Sequence, residues 1–233
     1  MYFLYGIVTN IFFLLSPIIL FFRVLQKKED INRFQEKYCI YSTRNLQKTI
    51  WFHAVSVGEL ISIIPVVNKL EKNKKIKKII ITTSTISSAK IFKKQKFKKT
   101  IHMFFPLDTN FLTKKFINFW KPEVAIFVDS EIWPNMVKNL EKNQIPIVLL
   151  NARFTKSSFE KWLLVKSFAK EIFGKISVAL PQNTETKYYL KILGIKKIVL
   201  AGNIKYYGKK IILKNKNSIL FRKLKKFKIL CAG

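Results

Sequence analysis

The chain has 233 residues, 49% of them hydrophobic, and a formal net charge of +31. That length and apolar content allow one large α/β domain and exclude a disordered chain, because aromatic and β-branched residues run throughout. The charge invites a nucleic-acid reading, yet of 44 basic residues only five are arginine (Arg23, Arg33, Arg44, Arg153, Arg222).

Arginine is the usual reader of base edges and the better bidentate phosphate ligand. Lys, Ile, Asn and Phe are all abundant, as an AT-rich coding sequence would make them, so compositional drift accounts for most of the charge. A lysine-rich surface is still drawn to anionic lipid, and no nucleic acid is expected. Cys39 and Cys231 lie far apart without metal-ligand spacing and fit a reducing compartment.

From Tyr2 to Phe22 no residue is charged, and only Thr9, Asn10 and Ser16 are clearly polar. At about 1.5 Å per residue, a helix of this length spans the hydrocarbon core. Pro17 would kink such a helix without forbidding it. No basic residue precedes the apolar run and no small-residue cleavage site follows it, against a cleaved signal peptide. Arg23, Lys27 and Lys28 come next, so the positive-inside rule places the remainder in the cytoplasm. Residues 1–23 are therefore read as an inner-membrane anchor, either spanning or lying in one leaflet.

Behind the anchor, strand-like and helix-like segments alternate. Seven short runs, most of them rich in Ile and Val, are expected strands: Thr49–Val55, Ile79–Thr83, Ile101–Phe105, Val124–Val128, Ile147–Leu150, Ile176–Leu180 and Ile198–Ala201. Between the first two, Glu59–Lys72 places Leu60, Ile63, Ile64, Val67 and Leu70 on one helical face. This order predicts an α/β, Rossmann-like domain over residues 24–208 with a parallel, doubly wound sheet of about seven strands. Residues 209–233 read as a lysine-rich linker and the first strand, Phe227–Ala232, of a further domain.

In such sheets ligands sit beyond the carboxyl ends of the strands. The first strand runs into His53-Ala54-Val55-Ser56-Val57-Gly58-Glu59, where Gly58 permits a sharp turn and Glu59 enters the next helix. A carboxylate at a helix start is favoured by the dipole and can accept a proton from a sugar hydroxyl, or simply stabilise the helix. The fourth strand ends in Asp129-Ser130-Glu131-Ile132-Trp133-Pro134-Asn135. Its carboxylates could face a cationic transition state, or cap the helix entered through Pro134.

Asn151-Ala152-Arg153-Phe154 and Gly202-Asn203-Ile204-Lys205 follow later strands and carry cations suited to a phosphate. Thr82-Thr83-Ser84-Thr85 suits sugar hydroxyls or helix capping equally. Neither GxGxxG nor GxxxxGK[ST] occurs, so a dinucleotide or P-loop reading lacks its phosphate cradle.

Together these segments, with Glu29-Asp30, Arg33–Tyr38, Pro106-Leu107-Asp108 and Ala179–Asn183, resemble the lipid A 3-deoxy-D-manno-octulosonic acid (Kdo) transferase family over roughly residues 1–208. The resemblance implies a two-domain glycosyltransferase B (GT-B) fold, with acceptor held by the N-terminal domain and CMP-Kdo by the C-terminal one. It implies Glu59 as general base toward a hydroxyl of the lipid A precursor, Asp129 as a stabiliser of an oxocarbenium-like transition state, and Lys205 as a counter-charge for the leaving phosphate or the Kdo carboxylate. Ser56, Gly58, Glu131, Arg153 and Asn203 are the expected substrate-binding residues; neither metal nor cofactor is expected.

The family usually has Glu where this chain has Asp129, a carboxylate shorter by one methylene. With the donor motifs absent from residues 1–233, this chain alone is expected to be inactive. Two other readings stand beside it. One is a different GT-B membrane glycolipid transferase, such as lipid A disaccharide synthase, and the other a non-enzymatic basic binder of membranes or nucleic acid.

Overall fold

The structure, a computed structural model, describes residues 1–42 and 47–206. One sheet organises it: β1 (Thr49–His53), β2 (Ile79–Thr83), β3 (Thr100–Phe104), β4 (Pro122–Val128), β5 (Ile147–Ala152) and β6 (Val178–Pro181). The strands are all parallel, in the order β3-β2-β1-β4-β5-β6. The crossovers carry α2 (Val57–Glu71), α3 (Ile86–Lys93), α4 (Asn110–Trp120), α5 (Pro134–Lys142), the pair α6 (Lys156–Leu163) and α7 (Lys166–Phe173), and α8 (Thr184–Leu193) follows β6. A long helix, α1 (Tyr2–Leu25), precedes them.

Successive strand residues point to opposite faces, and here both faces are covered. In β1, Trp51 packs on Phe116 of α4 and on Phe127, while Phe52 joins Leu60, Ile63 and Val67 of α2 on the other side. In β2, Ile80 serves the first core, and Ile79 and Ile81 the second. That double burial is why the strands read as unbroken apolar runs.

The sheet has six strands rather than seven. Residues 198–201 run beside β6 and make a single parallel bridge between Ala179 and Ile198, with Val199 N–H donating to Ala179 O and Ala201 N–H to Pro181 O. The run is cut short because Gly202, at φ +73°, turns the chain into a 3₁₀ turn at Ile204–Tyr206. Val199 and Leu200 stay exposed among the described residues. The further-domain strand expected at Phe227–Ala232 lies outside the described residues.

β3 is an edge strand, and edge strands leave N–H and C=O groups free to recruit another chain. Here a 3₁₀ turn at Phe34–Tyr38 lies against it. Arg33 Nη2 donates to His102 O (2.8 Å), and Glu36 Oε2 accepts from Phe104 N–H (2.8 Å). The two side chains also pair with each other, at 2.6 and 2.9 Å. Since Arg can only donate, His102 Nδ1 accepts from it at 3.0 Å. Burial and the Arg33 charge push the His102 pKa down to about 3, so the ring stays neutral.

The helix α1 docks along one side of the domain over most of its length. Tyr2 meets Phe168 edge-on, Tyr5 hydroxyl donates to Asp108 (2.7 Å), and Asn135 Nδ2 donates to Thr9 Oγ1 (3.3 Å). Further on, Ser16 and Tyr38 share a hydrogen bond at 2.8 Å, and Arg23 and Lys37 both donate to the buried Glu29. The opposite side, including Phe3 (78% exposed) and Leu14 (73%), faces outward.

Asp108 is the hinge pin of this arrangement. Trp133, the N-cap residue of α5, makes no side-chain cap. Instead Asp108, reaching in from the β3–α4 loop, accepts from Asn135 N–H (3.1 Å) and Met136 N–H (2.9 Å) as well as from Tyr5. Neither Asp129 nor Glu131 caps α5. Burial pushes the Asp108 carboxyl up to about 6 against the lowering effect of those bonds.

Asp108→Ala would orphan a hydroxyl and two helix-start N–H groups. A loss of about 3 kcal/mol in urea-denaturation stability is expected, in detergent to keep α1 docked. A group raised on folding gives stability that is complete below its unfolded value and is lost as pH rises through its folded value. The advantage of wild type over Asp108→Asn should therefore shrink as pH climbs from 3.8 through about 6; a flat difference would contradict this account.

Candidate functional site

The topological switch of the sheet lies between β1 and β4, where the strand order reverses, and in open α/β sheets ligands sit outside the carboxyl ends at that point. The loops after these two strands carry the carboxylates marked in the sequence.

After β1, Ser56 is the N-cap of α2 and Glu59 the third residue of its first turn, a capping box. Glu59 N–H donates to Ser56 Oγ (3.3 Å), and the Ser56 hydroxyl donates to Glu59 Oε1 (2.7 Å). Val55 N–H donates to Glu59 Oε2 (2.8 Å). The backbone and its neighbours thus aim this carboxylate, and about half of its roughly four lone-pair sites remain open. Gly58 does not make the turn. It sits inside the helix, and a Cβ there would meet only Ser56 Oγ at 4.0 Å, so the reversal belongs to residues 54–56.

After β4, Asp129 adopts a left-handed backbone (φ +66°), rare for a side-chain-bearing residue and costly, of order 1–3 kcal/mol. Its N–H donates to Leu150 O (3.0 Å), tying the turn to β5. Two residues on, Glu131 Oε2 accepts from the Trp133 indole N–H (3.1 Å). Burial, and then the nearby charge of Glu59, push the Asp129 carboxyl upward, while Lys205 and Arg153 pull it back. Burial and Glu59 push Glu131 further, to about 7, the Trp133 bond opposing and Asp129 adding. Three carboxylates from two loops therefore feel one another's charge at the switch point, with two cations on the Asp129 side.

The cations arrive by way of Asn151. This buried residue also has positive φ (56°), and its Oδ1 accepts from Ile204 N–H (3.0 Å) while its carbonyl accepts from Gln182 Nε2 (2.9 Å). It pins the 202–206 segment over the end of β5. Arg153 and Lys205 are exposed beside it. The Asn203 side chain is occupied locally, Oδ1 accepting from Lys205 N–H (3.0 Å), which shapes the turn presenting that lysine.

Of the other loops, Thr82 and Thr83 lie buried inside β2, bonded to His53 and His102, and only Thr85 caps a helix, α3, through Ser88 N–H (3.1 Å). His53 is fully buried, Nδ1 against Thr82 Oγ1 (2.9 Å) and its ring stacked on Phe105 (3.9 Å between centroids). Burial pushes it down to about 3, so it is a neutral core residue. Among the described residues, no group of three or more His, Cys, Asp or Glu is placed to hold a metal ion.

Sequence reasoning missed the part played by Trp133, which joins Glu131 to the core by packing on Phe105 (5.2 Å) and His53 (6.4 Å). A tryptophan two residues after an acidic strand end was the available signal.

A family model described as 3-deoxy-D-manno-octulosonic-acid transferase (kdotransferase) matches residues 32–207. A 3-deoxy-D-manno-octulosonic acid transferase of Rickettsia bellii is 36% identical over 225 residues, covering 90% of this chain and 54% of the relative. One of Haemophilus influenzae is 30% identical, covering 85% and 48%. The chain thus spans about half the length of the curated relatives it matches. A protein of Listeria monocytogenes assigned as a UDP-N-acetylglucosamine 2-epimerase superposes with TM-score 0.51 at 14% identity, over 76% of this chain and 51% of that one. That likeness is one of fold: a Rossmann-like parallel α/β domain of the GT-B type.

The crowding of acids makes a titration prediction. Carbon-detected NMR should place the Glu131 carboxyl midpoint near 7. Glu59→Gln removes a neighbouring negative charge, so the midpoint should move down; an unmoved midpoint would separate the two loops electrostatically.

Proposed function

The chain belongs to the 3-deoxy-D-manno-octulosonic acid (Kdo) transferase family, and from that premise we propose that it forms the acceptor-binding half of an enzyme moving Kdo from CMP-Kdo to the lipid A precursor in lipopolysaccharide biosynthesis. The observation that carries the reading is the convergence of Glu59, Asp129 and Glu131 at the sheet's switch point, with Arg153 and Lys205 alongside.

In this reading a hydroxyl of the acceptor sugar donates to Glu59. As the hydroxyl oxygen bonds to the anomeric carbon of Kdo, the carbon–oxygen bond to the CMP phosphate breaks and Glu59 takes the proton. Positive charge grows on the Kdo ring, and Asp129 stabilises it electrostatically. Its strained backbone holds the shorter side chain in place. Glu131, raised to about 7, carries a proton part of the time at neutral pH, so it can donate to a sugar oxygen where a third full charge would be repelled.

Lys205 and Arg153 offset the leaving phosphate or the Kdo carboxylate. Ser56 and Asn203 act by holding Glu59 and Lys205, and Gly58 leaves the space beside Ser56 open. CMP-Kdo is held chiefly by the half of the protein that the longer relatives carry beyond the matched region. On this reading residues 1–233 alone do not turn over.

We further propose that α1 lies in the cytoplasmic leaflet of the inner membrane rather than crossing it. One helix, Tyr2–Leu25, is long and apolar enough to span. Between Tyr2 and Ser16, however, it bonds and packs against Phe168, Asp108, Asn135 and Tyr38 of the domain, contacts that could not persist across a bilayer. Its exposed face, with Phe3, Phe12 and Phe21, suits an interfacial helix.

The catalytic reading is tested by Glu59→Gln in the full-length protein. Glutamine keeps the capping box, so stability should change by less than about 1 kcal/mol, while transfer of Kdo falls on the order of 10²-fold or more. Transfer at the normal rate would remove Glu59 from the chemistry. Topology is tested with a cysteine at position 1 and a membrane-impermeant maleimide. Labelling is expected in inside-out inner-membrane vesicles and not in right-side-out ones; the reverse would mean that α1 crosses.

A further inference from the structure

A groove of about 480 Å³ lies between α1 and the loops at the carboxyl ends of the strands. Its lining follows α1 from Tyr5 to Arg23, about 27 Å at 1.5 Å per residue. Val8, Phe12, Ile19 and Leu20 form the helix wall, and Leu107 and Trp133 belong to the wall of the domain.

Most of the polar groups along it are already engaged. Tyr5 is bonded to Asp108, Thr9 to Asn135 and Gly6, and Ser16 to Phe13 and Tyr38. Arg23 and Lys37 both bond to Glu29. Between Tyr5 and Ser16 a sugar entering here would have to compete with these bonds, whereas a hydrocarbon breaks none and gains apolar contact. Only at the Arg23–Lys37 end do spare N–H donors remain.

The groove connects two regions of opposite character. Val8, Phe12 and Ile19 line it and are also exposed on the apolar outer surface of α1, so it opens toward the bilayer. Trp133, which lines the groove, also reaches the carboxylate cluster, its indole N–H bonding to Glu131. A molecule occupying both places needs a hydrocarbon tail and a sugar head. One leaflet of hydrocarbon is about 15 Å deep, so a single lipid tail fits within the length available.

We infer that this groove holds one acyl chain of the acceptor glycolipid, drawn sideways out of the leaflet so that its sugar hydroxyl reaches the Glu59–Asp129–Glu131 cluster. The inference rests on the Kdo-acceptor reading for the identity of the lipid, and α1 becomes part of the substrate site as well as an anchor.

The full-length protein in nanodiscs is photolabelled with an acylated glucosamine disaccharide phosphate bearing a diazirine midway along one chain. Phosphatidylglycerol with the same diazirine runs in parallel. Mass spectrometry should place glycolipid adducts on Leu107 and Trp133, and phospholipid adducts on outward residues such as Phe3 and Leu14. Val8→Trp, on the exposed helix, should cut the groove adducts several-fold while leaving outward labelling and membrane binding intact.

The proposal is overturned if glycolipid adducts stay on outward residues, if both lipids label the groove equally, or if Val8→Trp changes nothing. Labelling needs no turnover. Failure of the Glu59→Gln test would therefore strike the catalytic reading and leave the groove result standing.

Discussion

A single buried carboxylate, Asp108, connects the parts of this molecule that matter for its chemistry. It sits in the loop between the edge strand and α4, caps a helix that has no cap of its own, and receives a hydroxyl from α1. The start of α5 fixes where the preceding residues 129–133 can lie, and those residues carry Asp129, Glu131 and Trp133. Seating the apolar helix and aiming the acidic loop are thus one structural event. The arrangement has a cost, seen in the raised Asp108 pKa, and the three bonds offset it.

Electrostatics explains why the acids can gather. A chain with net charge +31 has few carboxylates to spare, yet three gather at the switch point. Each copes differently: Glu59 through backbone and hydroxyl donors, Asp129 through Arg153 and Lys205, and Glu131 by keeping its proton near neutrality. Groups so close, with environments so distinct, are suited to taking separate roles in one reaction.

Much of the fold was legible because double burial writes itself as short Ile- and Val-rich runs, and β2 matches its expected span, Ile79–Thr83. The run at 198–201 had the same composition but stops at a positive-φ glycine, a backbone event that apolar content does not reveal. The candidate site loops were marked by position, since chemistry in a doubly wound sheet gathers after the strands, and the structure brings Glu59, Asp129 and Glu131 near one another there. Individual roles were less so. Gly58 looked like a hinge and is a helical residue; Thr82 and Thr83 looked like a ligand loop and are buried strand. The cap on α5 comes from Asp108, a contact across 27 positions that no local pattern encodes.

If α1 seats the protein on a membrane, as proposed, the Arg33–Glu36 pair against the outer strand has a further consequence. Proteins confined to a membrane meet one another in two dimensions, at effective concentrations far above those in solution, and a bare strand there would invite neighbours to zip on. One donor and one acceptor, set against His102 O and Phe104 N–H, occupy the positions an incoming backbone would need. The guanidinium also covers the Phe104 ring at 4.9 Å. An ion pair of this kind imitates the next strand and thereby ends the sheet, so that crowded copies find no open ladder to join.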